Sequence, residues 1–456
     1  MALSSIDSSR NVDHAYDRYL TAREKLVLKA IPRFEEKLHQ SFVKYGRYTI
    51  PSFFKPHFIS GKQEKLCRSV SDAFLAIVNK LTNFYFTEPV LAHHFHLSRD
   101  MEELVRIDPG YSRSIAIMRL DGFLEGEALK FIEINGDAPA GMVYADLLEG
   151  IFFEAEELKD FFQEFHCKRE ERPQKILSAL LNVYEEFGGF ETPNIAIVDW
   201  RTVRTKPEIE SLKTFFEEKG YKTTISDPRD LRYKGGKLYH GNFRIDLVYR
   251  RLTVGELLDR IEEIQDLVKA YRDRAVCMVN SLRSCIASSK ALLSILTNPG
   301  YDQFFTEKER ELMREHIPWT RRVIDAEKFY GGRTAYLINF LKDEKETLVL
   351  KPADGYGGRD VVIGLESTNE EWNQAIDRAL KRNWIVQEFI HAPKMTVPTI
   401  VNGKLDFLYK KANMGIYIFH DKFAGGVTRL SDETVINLSR GGGLIPIFAS
   451  EDAINR

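Results

Sequence analysis

The pattern of hydrophobic and polar residues divides the chain into stretches of different character. Before about residue 105, apolar residues recur every three or four positions, most clearly over 18–42 and 67–84. This spacing gathers the apolar side chains on one side of a helix. The first hundred residues are therefore predicted to be mainly helical.

The spacing shortens to that of strands after residue 110. Residues 115–120 and 131–135 are predicted strands, and the segment Gly122-Phe123-Leu124-Glu125-Gly126 is a predicted turn between them. Helical spacing returns from residue 144 to about residue 187 and ends at Gly188-Gly189. The chain is therefore expected to mix helices and strands.

Residues 193–250 have the pattern of a small α/β unit. The predicted elements are a buried strand at 194–199, a helix at 209–219, a strand at 222–226 and a hairpin of 237–239 with 245–249. No glycine-rich turn follows the first strand, so this half-Rossmann unit is interpreted as a scaffold rather than a dinucleotide site. Helices are predicted again from 254 to about 314, and residues 320–456 are rich in strands and glycine.

Composition and charge narrow the classes of function. The 456 residues include 65 basic and 67 acidic side chains, and the net charge of −2 argues against electrostatic capture of nucleic acid or of an anionic membrane. No apolar run is long enough to span a bilayer, and the first residues do not resemble a signal peptide. The four cysteines lack CxxC spacing, which is typical of a reduced protein. A cytoplasmic location is predicted.

Two short basic clusters do not change this interpretation. They are Trp319-Thr320-Arg321-Arg322 and Tyr249-Arg250-Arg251. Because the chain is nearly neutral overall, they are expected to pair with acids or to bind an anionic substrate rather than nucleic acid.

A lysine beside a glycine-rich loop is the first candidate for chemistry. Lys351 ends a predicted strand, Gly355, Gly357 and Gly358 follow it, and a later predicted strand ends in Gln387-Glu388-Phe389. Lysine neutralises phosphate charge, and glycine amides can approach phosphate oxygens without a Cβ in the way. The spacing fits neither the P-loop nor the GxGxxG fingerprint. A different mode of ATP binding is therefore predicted.

The two strands after residue 110 carry the second candidate site. If they pair as a hairpin centred near residue 127, Asp121 lies opposite Glu133, and Arg119 lies opposite Asn135, all on one face. The other face would carry four apolar residues: Met118, Leu120, Ile132 and Ile134. Two carboxylates and an amide oxygen suit Mg²⁺, which shares its oxygen ligands with nucleotide phosphates. A solvated strand face is the alternative, and the separate lysine–glycine loop favours the metal site.

These motifs together resemble the ATP-grasp superfamily, in its circularly permuted branch. In ordinary members the ATP lysines precede the metal carboxylates, whereas here the hairpin comes first and the lysines last. The twelve-residue step from Asp121 to Glu133 and the Arg-x-Asp…Glu-x-Asn pattern resemble the synthetase part of glutathionylspermidine synthase-like ligases. The resemblance covers roughly residues 110–445.

The resemblance implies a circularly permuted ATP-grasp fold of the α/β (α+β) class. It implies four parts: a mainly helical N-terminal region (1–110), a metal-binding hairpin plus helices of the core (111–190), a small pre-ATP-grasp-like half-Rossmann unit (191–253), and the ATP-grasp lobes (254–456). The nucleotide lysines, the glycine loop and the hinge belong to the last part.

The resemblance also implies roles for individual residues. The nucleotide-binding set is Lys290, Lys351, Gly355, Gly357, Gly358, Gln387, Glu388 and Phe389, the last three forming the hinge beside the adenine. The metal set is Asp121, Glu133 and Asn135, holding one or two Mg²⁺ ions, with Mn²⁺ as a substitute. Arg119 would face the transferring phosphoryl group, and Arg429 is a second candidate for phosphate or substrate contact.

The implied reaction joins a carboxylate to an amine and cleaves ATP to ADP and phosphate through an acyl phosphate. The implied partners are a small-molecule or short-peptide carboxylate and an amine acceptor, without nucleic acid or membrane. Two alternatives stay open: an ATP-grasp kinase acting on a small molecule, and a non-catalytic ATP-binding regulator. Asp121→Asn or Glu133→Gln is expected to abolish turnover and to leave thermal stability nearly intact.

Overall fold

The N-terminal region is helical and also contributes a strand to the largest sheet. The computed structural model describes residues 8–324, 327–330, 333–355, 357–420, 422–438 and 441–450. Its first elements are α1 (Ser8–Ala22), α2 (Glu24–Gln40), β1 (Lys44–Tyr45), β2 (Tyr48–Thr49), β3 (His57–Ser60), α3 (Gly61–Phe84), α4 (Pro89–Phe95) and α5 (Arg99–Val105). The predicted helix over 18–42 is interrupted at Arg23, and α3 begins before residue 67 because Ser60 and Gln63 form a capping box.

The predicted hairpin is formed by β4 (Ile117–Glu125) and β5 (Ala128–Asn135). Its register is the predicted one, with Asp121 opposite Glu133 and Arg119 opposite Asn135. The predicted turn over residues 122–126 is wrong, because β4 continues to Glu125 and the chain turns at Gly126 and Glu127. A side chain at position 122 would collide with the carbonyl oxygen of Lys130, so this close approach of the strands requires glycine.

The prediction that Ile132 lies on the apolar face is wrong, because the hairpin contains a β-bulge. Gly122 pairs with Phe131 while Asp121 pairs with Glu133, so Ile132 is an extra residue on β5. Ile132 is therefore only partly buried and faces the same side as Glu133, not the apolar side with Met118.

Six α-helices, a four-stranded parallel sheet and a three-stranded antiparallel sheet follow the hairpin. These elements are α6 (Met142–Phe153), α7 (Lys159–Glu164), α8 (Arg172–Glu186), β6 (Ile195–Val198), α9 (Lys206–Glu218), β7 (Thr223–Ser226), β8 (Leu231–Lys234), β9 (Lys237–His240), β10 (Phe243–Ile245), β11 (Leu247–Arg250), α10 (Val254–Asp259), α11 (Gln265–Arg272) and β12 (Cys277–Val279). The parallel sheet has the order β12-β11-β6-β7.

The predicted strand over 245–249 is split in the structure. Phe243–Ile245 completes the small hairpin with β9, whereas Leu247–Arg250 lies between β6 and β12 in the parallel sheet. All four residues of β11 are buried, and a continuous buried run is typical of a parallel strand covered on both faces.

The C-terminal part contributes most strands of the remaining two large sheets. Its elements are α12 (Cys285–Ser288), α13 (Ala291–Leu296), α14 (Glu307–His316), β13 (Thr320–Arg322), β14 (Glu327–Tyr330), β15 (Arg333–Tyr336), α15 (Leu337–Asp343), β16 (Leu348–Pro352), β17 (Val362–Ile363), α16 (Asn369–Leu380), β18 (Trp384–Glu388), β19 (Lys394–Val401), β20 (Lys404–Phe419), β21 (Lys422–Ser431) and β22 (Gly443–Ser450). One sheet is antiparallel, in the order β13-β18-β16-β17. The other has seven strands, in the order β3-β22-β21-β20-β4-β5 with β19 beside β20.

The seven-stranded sheet separates an apolar side from a side that is partly polar. Met118 and Leu120 of β4 pack with α3 and α13 in one hydrophobic core. On the opposite face, Tyr417 and Phe419 of β20 join a second core with α6 and α8. Arg119 and Asp121 of β4 lie on this second face as well. They are outside the apolar core and line a cavity. Among the helices that the structure describes, none is long and apolar enough to cross a membrane.

Candidate active site

A cavity of about 870 Å³ lies where the seven-stranded sheet, the antiparallel sheet and the C-terminal ends of the parallel strands meet. Its volume is within the range of roughly 300–1,000 Å³ that is usual for small-molecule sites. All thirteen residues that the sequence assigned to a site line this cavity. The N-terminal region also contributes to its wall, through Tyr45 and the segment from His96 to Met101. The structure therefore brings the two candidate motifs into one space.

The polar end of the seven-stranded sheet forms the arginine–carboxylate floor, defined here as Arg119, Asp121, Asn413 and Arg429. Arg119 donates through Nε and Nη2 to the two oxygens of Asp121, at 2.6 and 2.8 Å, and Arg429 Nη1 lies 3.2 Å from Asp121 Oδ2. Burial alone would raise the pKa of Asp121, but the two guanidinium groups lower it to about 2. Asp121 is thus an ionised, buried carboxylate held by two arginines.

Close packing on the neighbouring strand supports the floor. A Cβ at Gly415 would lie 3.1 Å from Asp121 Oδ1 and 3.2 Å from Arg119 Cδ, so glycine leaves the space that the ion pair fills. Asn413 accepts a hydrogen bond from Arg429 at 2.9 Å and donates to the carbonyl of Gly122 at 3.0 Å. Asn413 was not among the predicted site residues, because nothing in the sequence of β20 distinguishes it.

The other two predicted metal ligands are open to the cavity. Glu133 is 27% exposed and pairs with Lys290 at 2.9 Å, and Asn135 Nδ2 donates to Asp121 Oδ2 at 3.0 Å. In the part of the chain that the structure describes, no three His, Cys, Asp or Glu side chains form a group that could hold a metal ion. A set of two carboxylates and an amide still fits Mg²⁺ chemically, because that ion completes its shell with phosphate oxygens and water. The metal role of these residues remains a prediction.

A second group of residues lining the cavity is called the lysine wall, defined here as Lys290, Lys351 and Gln387. Lys290 precedes α13 and donates from Nζ to the carbonyl of Gly355, in addition to its ion pair with Glu133. Lys351 is 7% exposed and donates to Gln387 Oε1 at 2.7 Å and to the carbonyl of Ile132 at 3.2 Å. Burial and the nearby Lys290 lower the pKa of Lys351 to about 7, against the opposing effect of Glu133.

The glycine loop adopts a conformation that other residues would strain. Gly357 and Gly358 have φ values of +70° and +68°. A Cβ on Gly358 would lie 2.6 Å from Val435 Cγ1, so the loop packs closely against the segment that connects β21 with β22. Residues 434–438 of that segment also line the cavity. The glycine loop and this segment therefore both border this part of the cavity.

The residues of the predicted hinge make several contacts within the protein, and their adenine-binding role stays a prediction. The backbone N–H of Glu388 donates to Trp319 O at 2.8 Å, and that of Phe389 donates to Thr347 O at 2.7 Å, so both are used within the protein. Gln387 is 1% exposed and its side chain binds Lys351 rather than facing an adenine pocket. Gln387, Glu388 and Phe389 all line the cavity.

Two arginines at the end of β11 fix the loop that links the hairpin to α6. Arg250 Nη2 lies 2.6 Å from Asp137 Oδ1, and Arg251 Nη2 lies 2.9 Å from Glu208 Oε2. Glu208 also accepts from the backbone N–H of Gly141 at 3.0 Å. The expectation that this basic cluster pairs with acids is confirmed. The sequence did not show which acids, since the partners come from distant elements.

The comparison with protein families matches the C-terminal motifs. Residues 214–431, which are 218 of the 456, match a family described as circularly permuted ATP-grasp type 2. The matched range contains both lysines, the glycine loop, the hinge and Arg429, whereas the hairpin lies before it. The predicted resemblance to circularly permuted ATP-grasp proteins and the mixed α/β fold class are confirmed, and the resemblance to glutathionylspermidine synthase-like ligases stays a prediction.

Curated relatives are similar to about half of this chain. An uncharacterized protein of Mycobacterium tuberculosis strain H37Rv is 26% identical over 241 residues, covering 48% of this chain and 40% of the relative. A protein of Frankia casuarinae named "Putative glutamate--cysteine ligase 2-2" is 24% identical over 211 residues, covering 44% of this chain and 23% of the relative. The chain thus spans two fifths or less of the length of these relatives.

A solved structure shares the fold over nearly the whole chain. It is described as a glutathione synthetase-like effector from Globodera pallida in the apo form. The TM-score is 0.60 at 12% identity, over 94% of this chain and 98% of that chain. At this identity the likeness concerns the fold alone.

Proposed function

We propose that this chain, whose fold is that of the circularly permuted ATP-grasp proteins, is an ATP-dependent carboxylate–amine ligase that works through an acyl phosphate. The observation that carries the proposal is the contact between the lysine wall and the hairpin. Lys290 pairs with Glu133 at 2.9 Å, and Lys351 donates to the carbonyl of Ile132 at 3.2 Å. The two lysines predicted to bind phosphate therefore contact the strand that carries two of the predicted metal ligands, within one cavity.

The charges of the cavity suit phosphoryl transfer from ATP to a carboxylate. A carboxylate oxygen of the acid attacks the γ-phosphorus, the bond to the bridging oxygen breaks, and ADP leaves. Lys290 and Lys351 would neutralise the phosphates, and Arg119 and Arg429 would stabilise the charge on the transferring group. Because Asp121 holds both guanidinium groups in place, little reorganisation is needed during the reaction.

Amide formation would then take place in the same cavity. The amine nitrogen attacks the acyl carbon, phosphate leaves, and one proton of the amine is released. The glycine loop and residues 434–438 would exclude water, which otherwise hydrolyses the acyl phosphate. Bound Mg²⁺ would supply charge neutralisation at the phosphates, held by Glu133, Asn135 and Asp121.

Product analysis tests this proposal. The protein is incubated with Mg·ATP and pairs of carboxylic acids and amines, including amino acids, short peptides and polyamines, while ADP is measured and products are identified by mass spectrometry. Lys290→Met should abolish ADP release, and Lys381→Met, which changes an exposed lysine at the end of α16, should not. One amide formed for each ADP supports the ligase.

The same experiment decides between the alternatives. A phosphate ester in place of an amide would identify a kinase. ATP binding without any product across the screen would favour the regulator. No binding of ATP in calorimetry would refute all three nucleotide-dependent functions.

A further inference from the structure

Lys351 is held by a short chain of hydrogen bonds that begins on another strand. Thr320 of β13 is fully buried, Gln387 of β18 is 1% exposed, and Lys351 of β16 is 7% exposed. Gln387 Nε2 donates to Thr320 Oγ1 at 2.9 Å, and Gln387 Oε1 accepts from Lys351 Nζ at 2.7 Å. The three residues thus connect three neighbouring strands of the antiparallel sheet.

The direction of these hydrogen bonds follows from the number of protons that Thr320 can donate. Thr320 has a single hydroxyl proton, and its Oγ1 donates that proton to the carbonyl of Pro318 at 2.9 Å. Toward Gln387 the hydroxyl can therefore only accept, so the amide NH₂ must face Thr320. The amide oxygen is left facing Lys351. Buried amides are usually satisfied in this way, and the reverse orientation would place two donors against each other.

The bulge at Ile132 provides the second acceptor. Because Ile132 is the extra residue of β5, it has no pairing partner on β4, and its carbonyl accepts from Lys351 instead. An ammonium group has three N–H donors. Two of them are directed at neutral oxygens, and their geometry sets the direction of the third.

Neutral acceptors leave the charge of Lys351 available to a ligand. A carboxylate at position 387 would form an ion pair and compete with phosphate for the same ammonium group. With an amide there, the lysine is oriented and yet not neutralised. Glu133, the nearby acid that acts on Lys351, forms its ion pair with Lys290.

We propose that Thr320 and Gln387 are positioning residues that direct the Lys351 ammonium group toward a nucleotide phosphate. The inference rests on the proposed ATP-binding role of Lys351. It assigns to Gln387 a task different from adenine recognition. It also assigns a function to Thr320, which does not line the cavity.

Three variants separate orientation from simple packing. Thr320→Val removes the hydroxyl and keeps the shape, Thr320→Ser keeps the hydroxyl, and Gln387→Glu replaces the neutral acceptor with a charged one. The first readout needs no nucleotide: the rate of Lys351 acetylation is measured against pH by mass spectrometry, with exposed Lys381 as the internal reference. The second readout is the Kd for ATP from calorimetry.

The variants are expected to shift the midpoint pH of Lys351 labelling in opposite directions. Thr320→Val should move the midpoint of Lys351 labelling to lower pH, because the ammonium loses an oriented acceptor, and should weaken ATP binding about tenfold. Thr320→Ser should behave as the wild type. Gln387→Glu should move the midpoint about one to three pH units higher and weaken ATP binding at pH 7.

Equal midpoints and equal Kd values in Thr320→Val, Thr320→Ser and the wild type would overturn the inference. If Thr320→Val does not fold, Gln387→Met takes its place, and an unchanged midpoint there has the same consequence. A wild type that fails to bind ATP, with midpoints that move as expected, would refute the proposed function and support the orientation of Lys351 by Thr320 and Gln387.

Discussion

The arginine–carboxylate floor and the lysine wall bury charge in opposite ways. In the floor, Asp121 is 5% exposed and receives hydrogen bonds or close contacts from two guanidinium groups, so its buried negative charge is matched. In the wall, the hydrogen bonds of Lys351 go to neutral oxygens. Burying a charge without an opposite charge beside it costs free energy, and binding of an oppositely charged ligand offsets that cost. The carboxylate of the floor is therefore paired before a ligand binds, whereas the ammonium group of Lys351 meets an opposite charge only when a ligand binds.

The largest expected effect comes from breaking the floor. Asp121→Asn leaves two buried arginines without their shared carboxylate, which should destabilise the protein by about 3 kcal/mol or more and abolish turnover. This changes the expectation from sequence that stability would stay nearly intact. Chemical denaturation and ADP release are the measurements.

Glu133→Gln is the matched control for that change. Glu133 is partly exposed and has one ion-pair partner, Lys290, which also donates to the carbonyl of Gly355, so this substitution should cost less stability than Asp121→Asn while turnover is still abolished. Equal destabilisation by the two substitutions would contradict the distinction between a closed floor and an open carboxylate.

The next effect is on ATP affinity, through the lysine wall. Lys351→Met removes a charged donor to phosphate and should weaken ATP binding by about 1.5–3 kcal/mol, or roughly 10- to 150-fold. Stability at pH 7 should be unchanged or increased, because a buried ammonium group with neutral partners is removed. Calorimetry and thermal unfolding check the two parts, and a large loss of stability would show that Lys351 is structural.

The pH dependence of stability should separate the two regions further. The pKa of Lys351 is about 7 when folded and 10.5 in its ordinary state, so the unfolded chain binds more protons between these values. The stability of wild type relative to Lys351→Met should thus rise with pH from about 7 to 10.5 and be flat below 7. Asp121, with a pKa near 2 against 3.8, contributes stability that is complete above about pH 4 and is lost as the pH falls through 2. Denaturation curves across pH provide the test, and a parallel pair of profiles above pH 7 would refute the expectation for Lys351.

The smallest expected effect concerns the glycine loop. Gly358→Ala imposes a left-handed conformation on alanine and brings its Cβ to 2.6 Å from Val435, so the KM for ATP should rise several-fold. Gly403→Ala is the control, because Gly403 has φ +76° in the turn between β19 and β20 and a Cβ there would meet no atom within 4 Å. Both variants should lose about 1 kcal/mol of stability. An equal KM in the two would show that the loop does not act on ATP.

The hairpin was predictable because alternation and spacing are local properties. Asp121 and Glu133 face each other as the sequence indicated. The bulge was not predicted, because strict alternation over 131–135 would place Phe131 on the same face as Glu133. In the structure the alternation changes phase at Ile132, so that Phe131 lies in the core and Glu133 lines the cavity. The carbonyl that Lys351 uses is a consequence of that extra residue.

Contacts between strands that are distant in the chain could not be predicted from the sequence either. Gln387 follows the strand pattern that suggested a hinge, and only the pairing of β16 with β18 shows that its side chain meets Lys351. Asn413 and Tyr417 enter the site because β20 pairs with β4, in a register that their own neighbours do not reveal. Sequence therefore indicated residues that line one cavity, and tertiary pairing determined which groups contact them.

The pairing of β3 with β22 has a consequence for synthesis. His57 lies beside Ile447, a separation of 390 residues along the chain. At about 5–20 residues per second, a ribosome needs roughly 20 to 80 s to make that stretch. During this time the strand 57–60 lacks its partner β22. Contacts of such high contact order form late and slowly. The nascent chain should accordingly depend on the early helices, which form from local contacts, to cover this strand until its partner emerges.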